Sequence, residues 1–174
     1  MDISELFQHA WMARYAGDYD KALAMTQQVE TLASPHDYAV LGRVEHFYRQ
    51  FAVDRDDLTT AWGHSEASVS HYRQAGLPDR LAHALRHQAE LAQVTGRVEL
   101  AGSLFREALT LYRAQTHPYA GDLANALRAY GVWLGEHGPE KESREVWQEV
   151  RDLYQSVGLE QGVEEAEARL RKWG

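Results

Sequence analysis

No cysteine occurs anywhere in the 174 residues. Disulfides, thiolate zinc sites and cysteine nucleophiles are thereby excluded, and a reducing compartment such as the cytoplasm is the expected location. Proline is almost as scarce: only Pro35, Pro78, Pro118 and Pro139 are present, each where a helix would begin. Ser34-Pro35 and Gly138-Pro139 both read as a cap followed by proline in the first helical turn. No apolar run approaches the roughly 18 residues that a membrane span requires. The opening MDISELFQHAWM carries acids where a secretion signal carries cations. Positive charge is also in deficit, with 18 Lys and Arg against 26 Asp and Glu and a formal net charge of −8. That balance argues against nucleic acid and against an anionic membrane as partners. Phosphate loops, dinucleotide fingerprints and the G-x-S-x-G nucleophile elbow are all missing, so no enzyme and no cofactor are expected.

What the chain does have is helical periodicity. Val44, Phe47, Tyr48 and Phe51 stand at i, i+3, i+4 and i+7, and Leu100, Leu104, Ala108 and Leu111 follow a similar pattern. Asp18, Gly76, Gly96, Gly138 and Gly158 punctuate such stretches. The pattern predicts nine helices, near 3–16, 19–33, 36–53, 57–75, 79–95, 97–115, 118–137, 140–157 and 160–173. Second helices end alike, in SVSHYRQAG, ALTLYRAQ and VRDLYQSVG, which places Tyr72, Tyr112 and Tyr154 about 40 residues apart. The first helices keep the same register: Leu85, Gln88, Ala89 and Ala92 precede Gly96 as Leu127, Tyr130, Gly131 and Leu134 precede Gly138. A fixed period of paired helices predicts an all-α solenoid.

At this point the chain resembles the tetratricopeptide repeat (TPR) family. Leu6, Ala10, Gly17, Tyr19 and Ala22 match its motif in the first repeat, and Leu85, Ala89, Gly96, Ala101, Phe105 and Ala108 match in the third. The fourth keeps Leu127, Gly131, Gly138 and Trp147, with Ser143 where alanine is usual. In the second, Ala61 fits, while Arg55-Asp56 replaces the corner glycine and the turn reads one residue longer. The period is about 40 residues rather than the common 34, so the likeness is to longer variants. The resemblance spans the chain and implies a single domain over 1–174: a right-handed solenoid with repeats near 3–34, 36–76, 79–116 and 118–158. The helix at 160–173 is expected to cap it, with Val163, Ala166, Leu170 and Trp173 facing inward. Glu165–Arg169 and Glu167–Arg171 are expected to pair at i, i+4 along its outside.

In TPR-like stacks the first helix of each pair lines a concave groove. Carried over position by position, that implies a protein- or peptide-binding surface of Phe7, Trp11, Glu45, Arg49, His83, Arg86, Glu90, Asn125, Arg128 and Val132. Arg86 and Arg128 fall at one repeat position, with His83 and Asn125 a turn earlier, a ladder of donors for carboxylates or peptide backbone. The family's two-carboxylate clamp has a stricter Lys/Asn/Arg pattern that is absent here. The expectation is therefore a non-catalytic scaffold or adaptor with a protein partner, and a homodimer through the groove or last helix is the structural variant of it. One alternative is a regulatory sensor of a peptide or small ligand, acting with a separate effector chain. The other is a metal-binding or enzymatic protein, because His83, His87 and Glu90 at i, i+4 and i+7 share one helix face. Packing between helices is the competing reading of those histidines. The pair Asp18/Asp20 in YAGDYDKAL reads as a helix cap, since Lys21, Ala22 and Leu23 supply no further oxygen ligands.

Overall fold

A computed structural model describes residues 1–116 and 118–173, the last by its backbone alone. Its helices are α1 (Ile3–Tyr15), α2 (Tyr19–Leu32), α3 (Tyr38–Asp54), α4 (Leu58–Ala75), α5 (Pro78–Val94), α6 (Val98–Arg113), α7 (Ala120–His137), α8 (Glu140–Ser156) and α9 (Glu160–Leu170). A 3₁₀ turn at Arg171–Trp173 follows. Nine predicted segments thus become nine helices among the described residues, and no helix there is long and apolar enough to cross a membrane. The last one stops at Leu170 rather than 173, and the Trp173 side chain expected in its stripe lies outside the described residues.

The corners carry the sequence logic. After α1 the backbone turns left-handed at Gly17, φ +78°, and Asp18 N–H reaches back to Ala13 O at 2.9 Å. This is the six-to-one bond of a Schellman stop. Asp18 then accepts the Lys21 N–H at 3.2 Å and caps α2, the role expected for it. The second repeat uses the same device: Asp56 takes the left-handed position at φ 58°, Asp57 N–H bonds Ala52 O at 2.9 Å, and Asp57 caps α4. The turn is therefore not one residue longer. Asp56 simply stands where the first and third repeats have Gly17 and Gly96, a substitution that Asp tolerates better than most residues because its short polar side chain bonds locally.

The two proline corners depart from expectation. α3 begins at Tyr38, three residues after Pro35, because Asp37 accepts the Val40 N–H at 3.1 Å and so becomes the cap. Ser34 instead closes a turn by accepting the Asp37 N–H at 2.9 Å. At HGPEKES, Gly138 is extended, φ −110° and ψ 176°, and Pro139 is itself the cap residue. The corner is thus a different one, for a local reason: the residue before proline is driven out of helical conformations and into extended ones.

The chain divides into two compact units, Met1–Leu77 and Pro78–Gly174. In the first, α1 pairs with α2 and α3 with α4, and α2 packs on α3. Its core gathers Leu6, Phe7, Ala10, Val29, Val44, Phe47 and Phe51. In the second, α5 pairs with α6 and α7 with α8, α7 also meets α5 and α6, and α9 lies on α8. Small residues set these distances. Ala82, Ala89, Ala92 and Ala101 are wholly buried, and Gly102 lies so close under Trp133 that a Cβ there would stand 2.4 Å from the ring. The indole is held in place by its own donor, since Trp133 Nε1 bonds Val98 O at 3.1 Å. α9 docks in the same manner, Gly162 against the ring of Tyr154.

Candidate functional site

Four side chains of α5 stand half-buried on one flank while Ala82, Leu85, Ala89 and Ala92 face the core. Arg86 Nη1 donates to Glu90 Oε1 at 2.9 Å, and Arg86 Nη2 meets His87 Nε2 at 2.8 Å. His87 Nδ1 meets Glu90 Oε2 at 2.8 Å. A guanidinium can only donate, so Nε2 must accept, which leaves the proton of a neutral His87 on Nδ1, donated to Glu90. His83 lies edge-on to His87 with ring centroids 4.6 Å apart. His83, His87 and Glu90, the metal alternative of the sequence, thus share one flank of α5, with Arg86 among them. Both His87 nitrogens and both Glu90 oxygens are engaged in a triad closed by Arg86.

Behind that triad, α6 supplies Tyr112, only 3% exposed. Burial pushes its hydroxyl up to about 12, with the Arg86 guanidinium beside it pulling the other way. That guanidinium acts on the hydroxyl both by its charge and as a hydrogen-bonding neighbour, so two buried polar groups meet each other here.

α7 brings Asn125 and Arg128 alongside, both exposed. Asn125 Oδ1 accepts the Tyr154 hydroxyl at 2.8 Å. Arg128 Nε donates to Glu165 Oε2 of α9 at 2.5 Å, and that bond holds the guanidinium above its ordinary range. Burial raises the Tyr154 hydroxyl, Arg128 and Arg86 lower it and Glu165 raises it, so one electrostatic field joins α5, α7, α8 and α9. The unit thus assembles His83, Arg86, Glu90, Asn125 and Arg128 on neighbouring helices, as the repeat register implied.

The first unit fares differently. Phe7 is 2% exposed, stacked on Phe47 at 5.4 Å with the Arg43 guanidinium 4.1 Å from its ring centroid. It is core, not surface, because α1 turns that position onto α3. Arg49 is likewise buried, one of four consecutive buried residues through Ala52, so α3 is enclosed all round at that level. Glu45 accepts His64 Nδ1 at 2.6 Å across to α4. Trp11 is 37% exposed and packs edge-on against Phe47 and Tyr15.

Two participants escaped the sequence reading. Tyr112 looked like a repeat landmark only. Glu165 was assigned to Arg169, yet Arg169 lies over Trp147, 5.4 Å from the ring centroid. The available signal was spacing: Glu165 falls 37 residues after Arg128, close to one repeat, if the last helix is read as the opening helix of another pair.

Paired helices at a period of about 40 residues, with left-handed corners and glycine-on-aromatic packing, define an all-α solenoid of TPR-like repeats. Among solved structures, BtubC (BKLC) from P. vanneervenii shares the fold at a TM-score of 0.67 and 14% identity, covering 98% of this chain and 78% of that one. So does a putative kinesin light chain with nearly identical TPR-like repeats from Podosopora anserina. Its two crystal structures give TM-scores of 0.67 and 0.58, each at 14% identity over 98% of this chain and 93% of that one. At such identity the likeness is one of fold. No family model matches the sequence, and no curated protein does.

Proposed function

We propose that this chain is a non-catalytic recognition module that binds a segment of another protein along the first-helix face of α5 and α7. Repeat arrays of this class offer preformed, extended surfaces, so that little ordering is lost by the binder. The observation that carries the reading is that Arg86 and Arg128 fall at one repeat position, on helices that pack together, with the buried Tyr112 hydroxyl beside Arg86. Forked, charge-assisted donors of this kind suit carboxylates and peptide carbonyls. Trp11, in the other unit, is an apolar anchor of the type that dominates protein contacts. The cysteine-free composition suits action in the cytoplasm.

The test is affinity capture from the native host with the wild-type chain and with Arg128→Ala. Arg128 is chosen because its side chain is 46% accessible, whereas Arg86 is built into the α5 triad. A partner should co-purify with the wild type and be lost with the variant, at unchanged helicity and melting. Equal capture by both would remove this face from the recognition surface.

A further inference from the structure

α9 approaches the candidate surface as an acidic helix, carrying Glu160, Glu164, Glu165 and Glu167. Of these, Glu165 is the one bonded to α7, through Arg128 Nε. The pair is open to solvent on both sides, with side-chain accessibilities of 46% for Arg128 and 29% for Glu165. What docks α9 lies elsewhere: Gly162 under the Tyr154 ring, the wholly buried Ala166, and the Arg169 guanidinium over Trp147. A solvated ion pair on which the packing of its helix does not depend is exchangeable, and another carboxylate can take the same guanidinium. On α5 the pattern repeats, where Glu90 holds Arg86. Each of the two arginines that stand one repeat apart therefore already binds a carboxylate from within the chain.

We propose that Glu165 is an internal competitor for Arg128. It occupies the guanidinium in place of a carboxylate from an acidic partner segment, and that partner binds by displacing it. The inference rests on the α5–α7 face being a recognition surface; it adds the chemistry of the partner and the group that holds the partner off. Displacement leaves α9 docked through Gly162, Ala166 and Arg169, so the availability of one guanidinium changes while the fold does not.

The experiment uses the full chain and a fluorescein-labelled, C-terminally amidated hexaglutamate peptide, read by fluorescence anisotropy at low salt, where exposed charges act most strongly. Glu165→Gln should bind the probe about tenfold more tightly than the wild type, and adding Arg128→Gln should abolish the gain. Glu164→Gln removes the same charge from an exposed neighbour, and a gain there equal to that of Glu165→Gln overturns the proposal. Equal affinity of wild type and Glu165→Gln, lost with Arg128→Gln, overturns the competitor and leaves the recognition face standing. A gain that survives Arg128→Gln overturns both. Failure of Glu165→Gln to bind the probe overturns the proposal as well. Hydrogen exchange of the α9 amides should be unchanged in Glu165→Gln; loss of protection there would make the carboxylate a structural tie and end the argument.

Discussion

At the scale of single residues, the informative positions are those where a repeat motif is broken. Ser143 stands where alanine is usual; it is wholly buried on α8 and its hydroxyl has no hydrogen-bond partner among the described residues. A buried hydroxyl left unpaired has lost its hydration without compensation, and alanine is the better helix former. Ser143→Ala should therefore stabilise the chain by about 1–2 kcal/mol, roughly 3–6 °C in melting temperature for a chain of this size. Thermal unfolding followed by circular dichroism checks the sign, and a loss of stability would mean that the hydroxyl is satisfied in solution. The departure itself was visible in the sequence. Its cost was not, because whether the hydroxyl meets an acceptor depends on the helix packed opposite. Phe7 shows the same limit from the other side: its helical spacing was clear, but whether it faced outward or onto Phe47 depended on how α1 sits on α3.

Individual elements were legible because their boundaries are set by local chemistry. Asp18, Asp37 and Asp57 each accept an N–H from the first turn of the helix they cap, and such caps are written within four residues of sequence. The miss at Ser34-Pro35 arose where two caps competed within four residues. What the sequence could not reveal was docking between elements. α9 was expected to satisfy its own charges along one face, yet Glu165 crosses to Arg128 and Arg169 crosses to Trp147. An exposed pair of the former kind adds only about 0–1 kcal/mol, so the attachment of α9 has to come from close packing. Gly162→Ala tests that reading. The added methyl would stand 2.4 Å from the Tyr154 ring, and overpacking of this kind costs about 1–3 kcal/mol. Hydrogen exchange should speed up in the amides of α9 while α5 and α6 keep their protection, and uniform acceleration across all helices would show that α9 is no separate element.

For the molecule as a whole, the buried tyrosines matter more than the surface charge. Burial raises the hydroxyls of Tyr48, Tyr112, Tyr130 and Tyr154 above the ordinary value of 10. Glu30 and Glu142, as acceptors for Tyr48 and Tyr130, push the same way. Each group is therefore easier to ionise in the unfolded chain than in the folded one. Its contribution is fully present below pH 10 and is lost as pH climbs through the folded value. Tyr112 carries the clearest share: from 10.0 to about 12 is two units, worth about 2–3 kcal/mol. The melting temperature should stay level with respect to these groups up to about pH 9 and fall between about pH 10 and 12. Tyr112→Phe removes the titrating group, so it should flatten part of that alkaline fall. If the same substitution also weakens capture of the partner, Tyr112 belongs to the recognition surface; unchanged capture would assign its hydroxyl to the packing of α6 alone. The two readouts separate a polar group retained for binding from one merely trapped when the helices closed over it.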